Sequence, residues 1–79
     1  MVKMLDFAFS TSDEITAELG LRLKAVRLSQ SLTQADLAER AGISVGTVKS
    51  LERTGQSSVA SLVRVVQALG LTDQLQSLF

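Results

Sequence analysis

The chain has 79 residues and contains no cysteine, histidine, tryptophan, tyrosine or proline. That length suits one small domain, and the missing cysteine and histidine exclude disulfide staples, the usual zinc ligands and the usual nucleophile–base pairs. Eight basic residues balance eight acidic ones for a formal net charge of zero, and 46% of the residues are hydrophobic, so aliphatic packing must hold the fold together.

The charge is unevenly spread. Residues 1–20 set Lys3 against Asp6, Asp13, Glu14 and Glu18, a net of −3. Residues 21–64 set Arg22, Lys24, Arg27, Arg40, Lys49, Arg53 and Arg64 against Asp36, Glu39 and Glu52, a net of +4. Asp73 alone makes the last stretch −1. A locally basic centre between acidic ends predicts modest non-specific attraction to a polyanion and a shallow salt dependence. No run approaches the ~18 apolar residues of a membrane span. The opening MVKMLDFAFS is apolar, but Lys3 and Asp6 interrupt it and no cleavage site follows, so it does not read as a signal peptide and the chain is expected to be cytoplasmic.

Residues 1–12 alternate at Val2, Met4, Phe7 and Phe9 with one slip, which suits a short strand, an arm or a cover for the core. As a strand it could pair with its copy in a second subunit. The domain proper is expected over residues 13–79. A helix starts at Thr11 or Ser12 with Asp13 and Glu14 in its first turn, and runs to about Ser29. Ile15, Leu19, Leu23 and Val26 form its apolar stripe. Gly20 interrupts that helix as a weak spot of roughly 1 kcal/mol relative to alanine.

Residues 33–52 read TQADLAERAGISVGTVKSLE. Thr33 caps a helix over 34–41, with Asp36 placed to complete a capping box. Leu37 and Ala41 share its inner face, and Ala38 is small where helices must cross closely. Gly42 suits a left-handed helix end, Ile43 plugs the turn and Ser44 caps a second helix over 45–53. Val48 and Leu51 face inward. Val45, Gly46, Thr47, Lys49, Ser50 and Arg53 are left on or near the outer face. This is the layout of a helix-turn-helix, whose second helix enters the DNA major groove. The competing reading is a structural hairpin with a merely wet polar face. The fit of Ala38, Gly42, Ile43, Val48 and Leu51 to one template favours DNA.

Thr54–Ser57 is a loop, and Ser58 caps a helix over 59–69 with Val59, Leu62, Val63, Val66 and Leu69 inward and Gly70 as its stop. Thr72 caps a short fifth helix from Asp73 to Ser77. Leu71, Leu75, Leu78 and Phe79 form an apolar tail that closes the monomer core or makes a dimer contact.

From about Leu19 to Leu71 the chain resembles the lambda-repressor and Cro-like helix-turn-helix family. Thr33-Gln34, the Leu37-Ala38-Ala41-Gly42-Ile43-Ser44 core and Leu51-Glu52 carry the resemblance. It implies an all-α, compact five-helix DNA-binding domain, working as a homodimer on palindromic double-stranded operators. It also implies roles. Gln34 would hold the DNA backbone. Val45, Gly46, Lys49 and Ser50 would face base edges, with Gly46 allowing close approach. Ser44, Thr47, Lys24 and Arg53 would meet phosphates. For each of these the alternative is an ordinary solvated helix face. Arg27 and Glu52 match a partly buried ion pair that fixes the first helix against the third. Two departures stand out: Gly46 sits where the family carries a longer polar residue, and Arg53-Thr54-Gly55 replaces an Asn-bearing turn.

The implied function is transcriptional regulation, as a repressor. Residues 62–71, LVRVVQALGL, resemble HipB-type antitoxins, which repress their own operon and bind a kinase-like toxin, so a toxin or other protein partner is one expectation; a restriction-modification controller is another. A protein-interaction module that lost DNA binding is the alternative, favoured by zero net charge and Gly46. An enzyme is not expected, since no Gly-rich phosphate loop or Ser-x-x-Lys spacing is present. No cofactor or metal is implied.

Overall fold

Side-chain caps set the start of four helices. In the computed structural model, which describes residues 5–79, the Thr11 hydroxyl caps α1 (Ser12–Ser29) and the Thr33 hydroxyl caps α2 (Gln34–Ala41). Both are complete capping boxes: Glu14 and Asp36 accept from the Thr11 and Thr33 backbone N–H groups at 2.9 Å each. Asp36 therefore closes its box despite its short side chain. Ser44 caps α3 (Val45–Thr54) and Ser58 caps α4 (Val59–Ala68). α5 (Thr72–Gln76) has no side-chain cap; Leu71 precedes it and Thr72 is already helical, so Thr72 is not the cap expected of it. No helix among the described residues is long and apolar enough to cross a membrane.

No strand forms among the described residues of the N-terminal segment. Phe7–Phe9 make a single 3-10 turn because the Asp6 carboxylate accepts from Ala8 N–H at 3.0 Å. The strand reading is corrected for Phe7 and Phe9; Val2 and Met4 lie outside the described residues. The Phe7 ring lies 4.9 Å from the Arg22 guanidinium, a cation–π contact onto α1, while Phe9 is 89% exposed.

Leu37, Val48 and Val65 are the most deeply buried side chains, one from each of α2, α3 and α4. Around them lie Leu23, Leu32, Ala38, Ala41, Leu51, Val66 and Leu69. α3 is thus clasped between α1 and α2, and α4 closes the other side of α2. The α4 register departs from the sequence reading. Val65 is buried and Val59 is 77% exposed, because Val59 is the first helical residue after the cap.

Gly20 also has a different meaning in three dimensions. A Cβ there would lie 2.2 Å from the Leu51 carbonyl oxygen and 3.1 Å from the Gly55 nitrogen. The glycine is therefore what lets α1 cross the end of α3 backbone to backbone. Gly55 is the opposite half of the crossing: at φ +77° it ends α3, and a Cβ would lie 1.9 Å from the Thr16 carbonyl oxygen. Gly20→Ala should accordingly destabilise the fold by ~1–3 kcal/mol through overpacking, the opposite sign to its helix-propensity gain. A thermal melt reads this directly; a raised midpoint would refute the close-crossing account.

Candidate nucleic-acid interface

One buried network sets the position of α3. Arg27, on α1, donates from Nε to Glu52 Oε2 at 2.6 Å and from Nη2 to Glu52 Oε1 at 3.0 Å. Its remaining nitrogen, Nη1, donates to the Leu32 carbonyl at 2.6 Å. Gln34 Nε2 donates to Glu52 Oε1 at 3.1 Å. Both charged residues are buried, and among the described residues no buried side-chain polar atom lacks a partner. The guanidinium fork matches the carboxylate in bidentate fashion, which fixes direction as well as distance. The start of α2, the end of α3 and the last turn of α1 are thereby tied to one carboxylate.

Burial pushes the Glu52 carboxyl towards a higher pKa. The hydrogen bonds from Arg27 and Gln34, with the charges of Arg27 and Lys24, outweigh it and hold the group below the usual glutamate range. Glu14 and Asp36 are also lowered, mainly by the backbone hydrogen bonds of their capping boxes.

The expected contact residues divide by what their polar atoms already do. Ser44 is exposed, but its Oγ accepts from Thr47 N–H at 3.1 Å and pairs with the Thr47 hydroxyl at 2.8 Å. Ser50 is half-buried and its hydroxyl donates to the Gln56 carbonyl at 3.2 Å, so its donor is turned away from a base edge. Val45 is half-buried and packs against the core. Gly46 is exposed. Lys49 and Arg53 are exposed on α3, Lys24 is exposed on α1, and none of the three forms a salt bridge among the described residues. Gln34 is half-buried with its amide nitrogen committed to Glu52. The Thr33 hydroxyl accepts only from the Asp36 N–H, and the Gln34 and Ala35 backbone N–H groups, in the first turn of α2, have no helical acceptors. Ala35 was not among the residues singled out from sequence. The signal for it is its place in the first turn after a cap, where any residue offers its N–H.

The arrangement brings together three exposed cations that form no salt bridge among the described residues, a helix N-terminus and a smooth helix face on a rigid frame. A family model described as a helix-turn-helix domain matches residues 18–79, which is most of α1 and everything after it. The chain belongs to this helix-turn-helix family, consistent with the Cro and lambda-repressor-like character of its motif. No curated protein matches it in sequence.

Removing Arg27 would strand a buried carboxylate. Arg27→Ala should cost ~3–5 kcal/mol in urea unfolding, and an unchanged midpoint would show that the pair does not hold α1 to α3. Acid should act on the same network. Glu52, Glu14 and Asp36 have folded pKa values below their unfolded ones, so their contribution is complete above the unfolded values of about 4 and is lost as pH falls through the folded values. Thermal midpoints should hold from neutrality to about pH 5 and fall steeply below about pH 4. Glu52→Gln should be less stable than the parent at neutral pH and lose less on acidification; parallel pH curves would contradict the assignment.

Proposed function

We propose that the chain is a sequence-specific transcriptional repressor that binds double-stranded DNA as a homodimer, with α3 in the major groove, and acts in the cytoplasm. The observation that carries this reading is the outer face of α3. It presents Lys49 and Arg53, which form no salt bridge among the described residues, while its inner face, through fully buried Val48, is locked to the core. The helix-turn-helix family match supports DNA as the ligand. Lys49 is assigned to base edges, where an ammonium suits guanine O6 and N7. Arg53 and Lys24 are assigned to phosphates, together with the Gln34 and Ala35 N–H groups at the start of α2. Ser44 and Thr47 border the same face, and Ser50 acts through its packing because its hydroxyl is already engaged.

Dimerisation is assigned to a different surface, one that no residue of α3 lines. An apolar groove of ≈300 Å³ runs between α1, α4 and α5, lined by Leu19, Val26, Leu62, Leu71, Leu75 and Leu78. Arg22, the charged residue lining it, is already paired with Glu18 at 2.8 Å, so the groove selects no charged partner. A second copy of the same apolar surface fits it best. An antitoxin role would place a toxin on this surface instead. That reading rests on the residues 62–71 resemblance.

Selection of bound duplexes from a random library at low salt tests the reading. It should enrich a palindrome with half-sites about one helical turn, ~10 bp, apart. No enrichment would favour a protein-interaction module. On the selected site, Lys49→Ala should relax preference at particular positions at ~1–3 kcal/mol, whereas Arg53→Ala should weaken all sequences alike. A uniform loss from Lys49→Ala would reassign it to a phosphate.

A further inference from the structure

The N-terminal turn holds one aromatic ring against the protein and another away from it. The Asp6 carboxylate accepts from Ala8 N–H at 3.0 Å, and the Asp6 carbonyl accepts from the Ser10 hydroxyl at 2.7 Å and from Phe9 N–H at 3.1 Å. The Phe7 ring rests on the Arg22 guanidinium and so ties the turn to α1. Phe9, two residues on, stays almost wholly exposed. Arg22 is also a wall of the apolar groove between α1, α4 and α5. The turn therefore stands at the rim of that groove, with a ring that would remove roughly 150–250 Å² from water if it were covered.

We propose that the groove takes the Phe9 ring of a second copy of this chain, so that each protomer anchors the other through its N-terminal turn. The inference rests on the homodimer reading above and names the side chain that fills the groove. Size permits it: the groove holds ≈300 Å³, and an apolar cavity of roughly 150 Å³ accepts a benzene ring. Chemistry favours it. Leu19, Leu62, Leu71, Leu75 and Leu78 line the groove, and Arg22 is neutralised by Glu18 and stacked on the Phe7 ring. The site thus offers apolar contact and no unmet charge. Within one chain the hydrogen bonds of the turn and the Phe7–Arg22 contact keep the Phe9 ring outside. A two-fold contact across the groove sets the same patch against itself, so the rim of one protomer lies over the groove of the other and both rings are buried together. An aromatic anchor in a leucine-lined pocket is the kind of contact that dominates the energy of an interface.

Sedimentation equilibrium of the parent and of Phe9→Ala tests this, together with contacts between chains read by nuclear Overhauser spectroscopy. Phe9→Ala should raise the dimer dissociation constant about a hundredfold, about tenfold from each of the two symmetric anchors. The thermal midpoint of the dilute protomer should not move, because the ring is exposed there. In dimers formed from isotope-labelled and unlabelled chains, cross-peaks between chains should join the Phe9 ring to the Leu75 and Leu78 methyl groups. A dimer whose dissociation constant ignores Phe9→Ala would overturn the proposal. So would Phe9 cross-peaks to the groove only within one chain, which would mean that the turn folds back on its own protomer, or cross-peaks between chains only to residues outside the groove. A parent that stays monomeric at the highest concentration reached would instead remove the homodimer reading, and this inference with it.

Discussion

A single buried carboxylate organises the structure. Glu52 is the last buried residue of α3 and receives Arg27 from α1 and Gln34 from α2. An ion pair removed from water is costly unless its remaining donors and acceptors are met. Here they are: the guanidinium nitrogen not used by Glu52 goes to the Leu32 carbonyl, in the turn between α1 and α2. Hydrophobic contacts between Leu23, Leu37, Val48 and Leu51 hold the helices together without fixing their azimuth. The directional bonds of Arg27 supply that azimuth. The side of α3 turned towards solvent, and so the side available to a ligand, follows from this one geometry.

The second constraint is proximity. α1 and α3 touch through Gly20 and Gly55, so the two backbones meet where the buried ion pair also lies between them. Close approach and charge pairing act on the same helix pair, and each limits the freedom of the other. The outer face of α3 is correspondingly plain. Ser44 and Thr47 serve the helix cap, Ser50 serves the loop after α3, and Val45 serves the core. In the proposed function, sequence discrimination falls on few groups, chiefly Lys49. A chain of zero net charge suits such a role: the +4 centre provides local attraction without a broad, salt-sensitive grip.

Local chemistry was legible in the sequence; chemistry between distant residues was not. The caps Thr33, Ser44 and Ser58, and the turn glycine Gly42, act within a few residues of themselves, and all appear where the pattern predicts. Thr72 fails as a cap because a one-turn helix is positioned by the packing of Leu71 and Leu75 rather than by its own first turn. The α4 register was ambiguous because Val63, Val65 and Val66 crowd the same stretch, and only contact with α2 decides that Val65 goes inside. Gly20 looked like a defect because the Leu51 carbonyl that requires it is thirty-one residues away. Ser50 looked free because its acceptor, the Gln56 carbonyl, lies in a loop that helical periodicity does not describe.

The most direct test is to follow backbone amide resonances while the selected duplex is titrated in. The account predicts the largest shifts at Gln34, Ala35, Gly46, Thr47, Lys49 and Arg53, on the face set by Glu52. Shifts concentrated instead along the α1–α4–α5 groove, at Leu62, Leu71 and Leu75, would contradict it and make that groove the ligand surface.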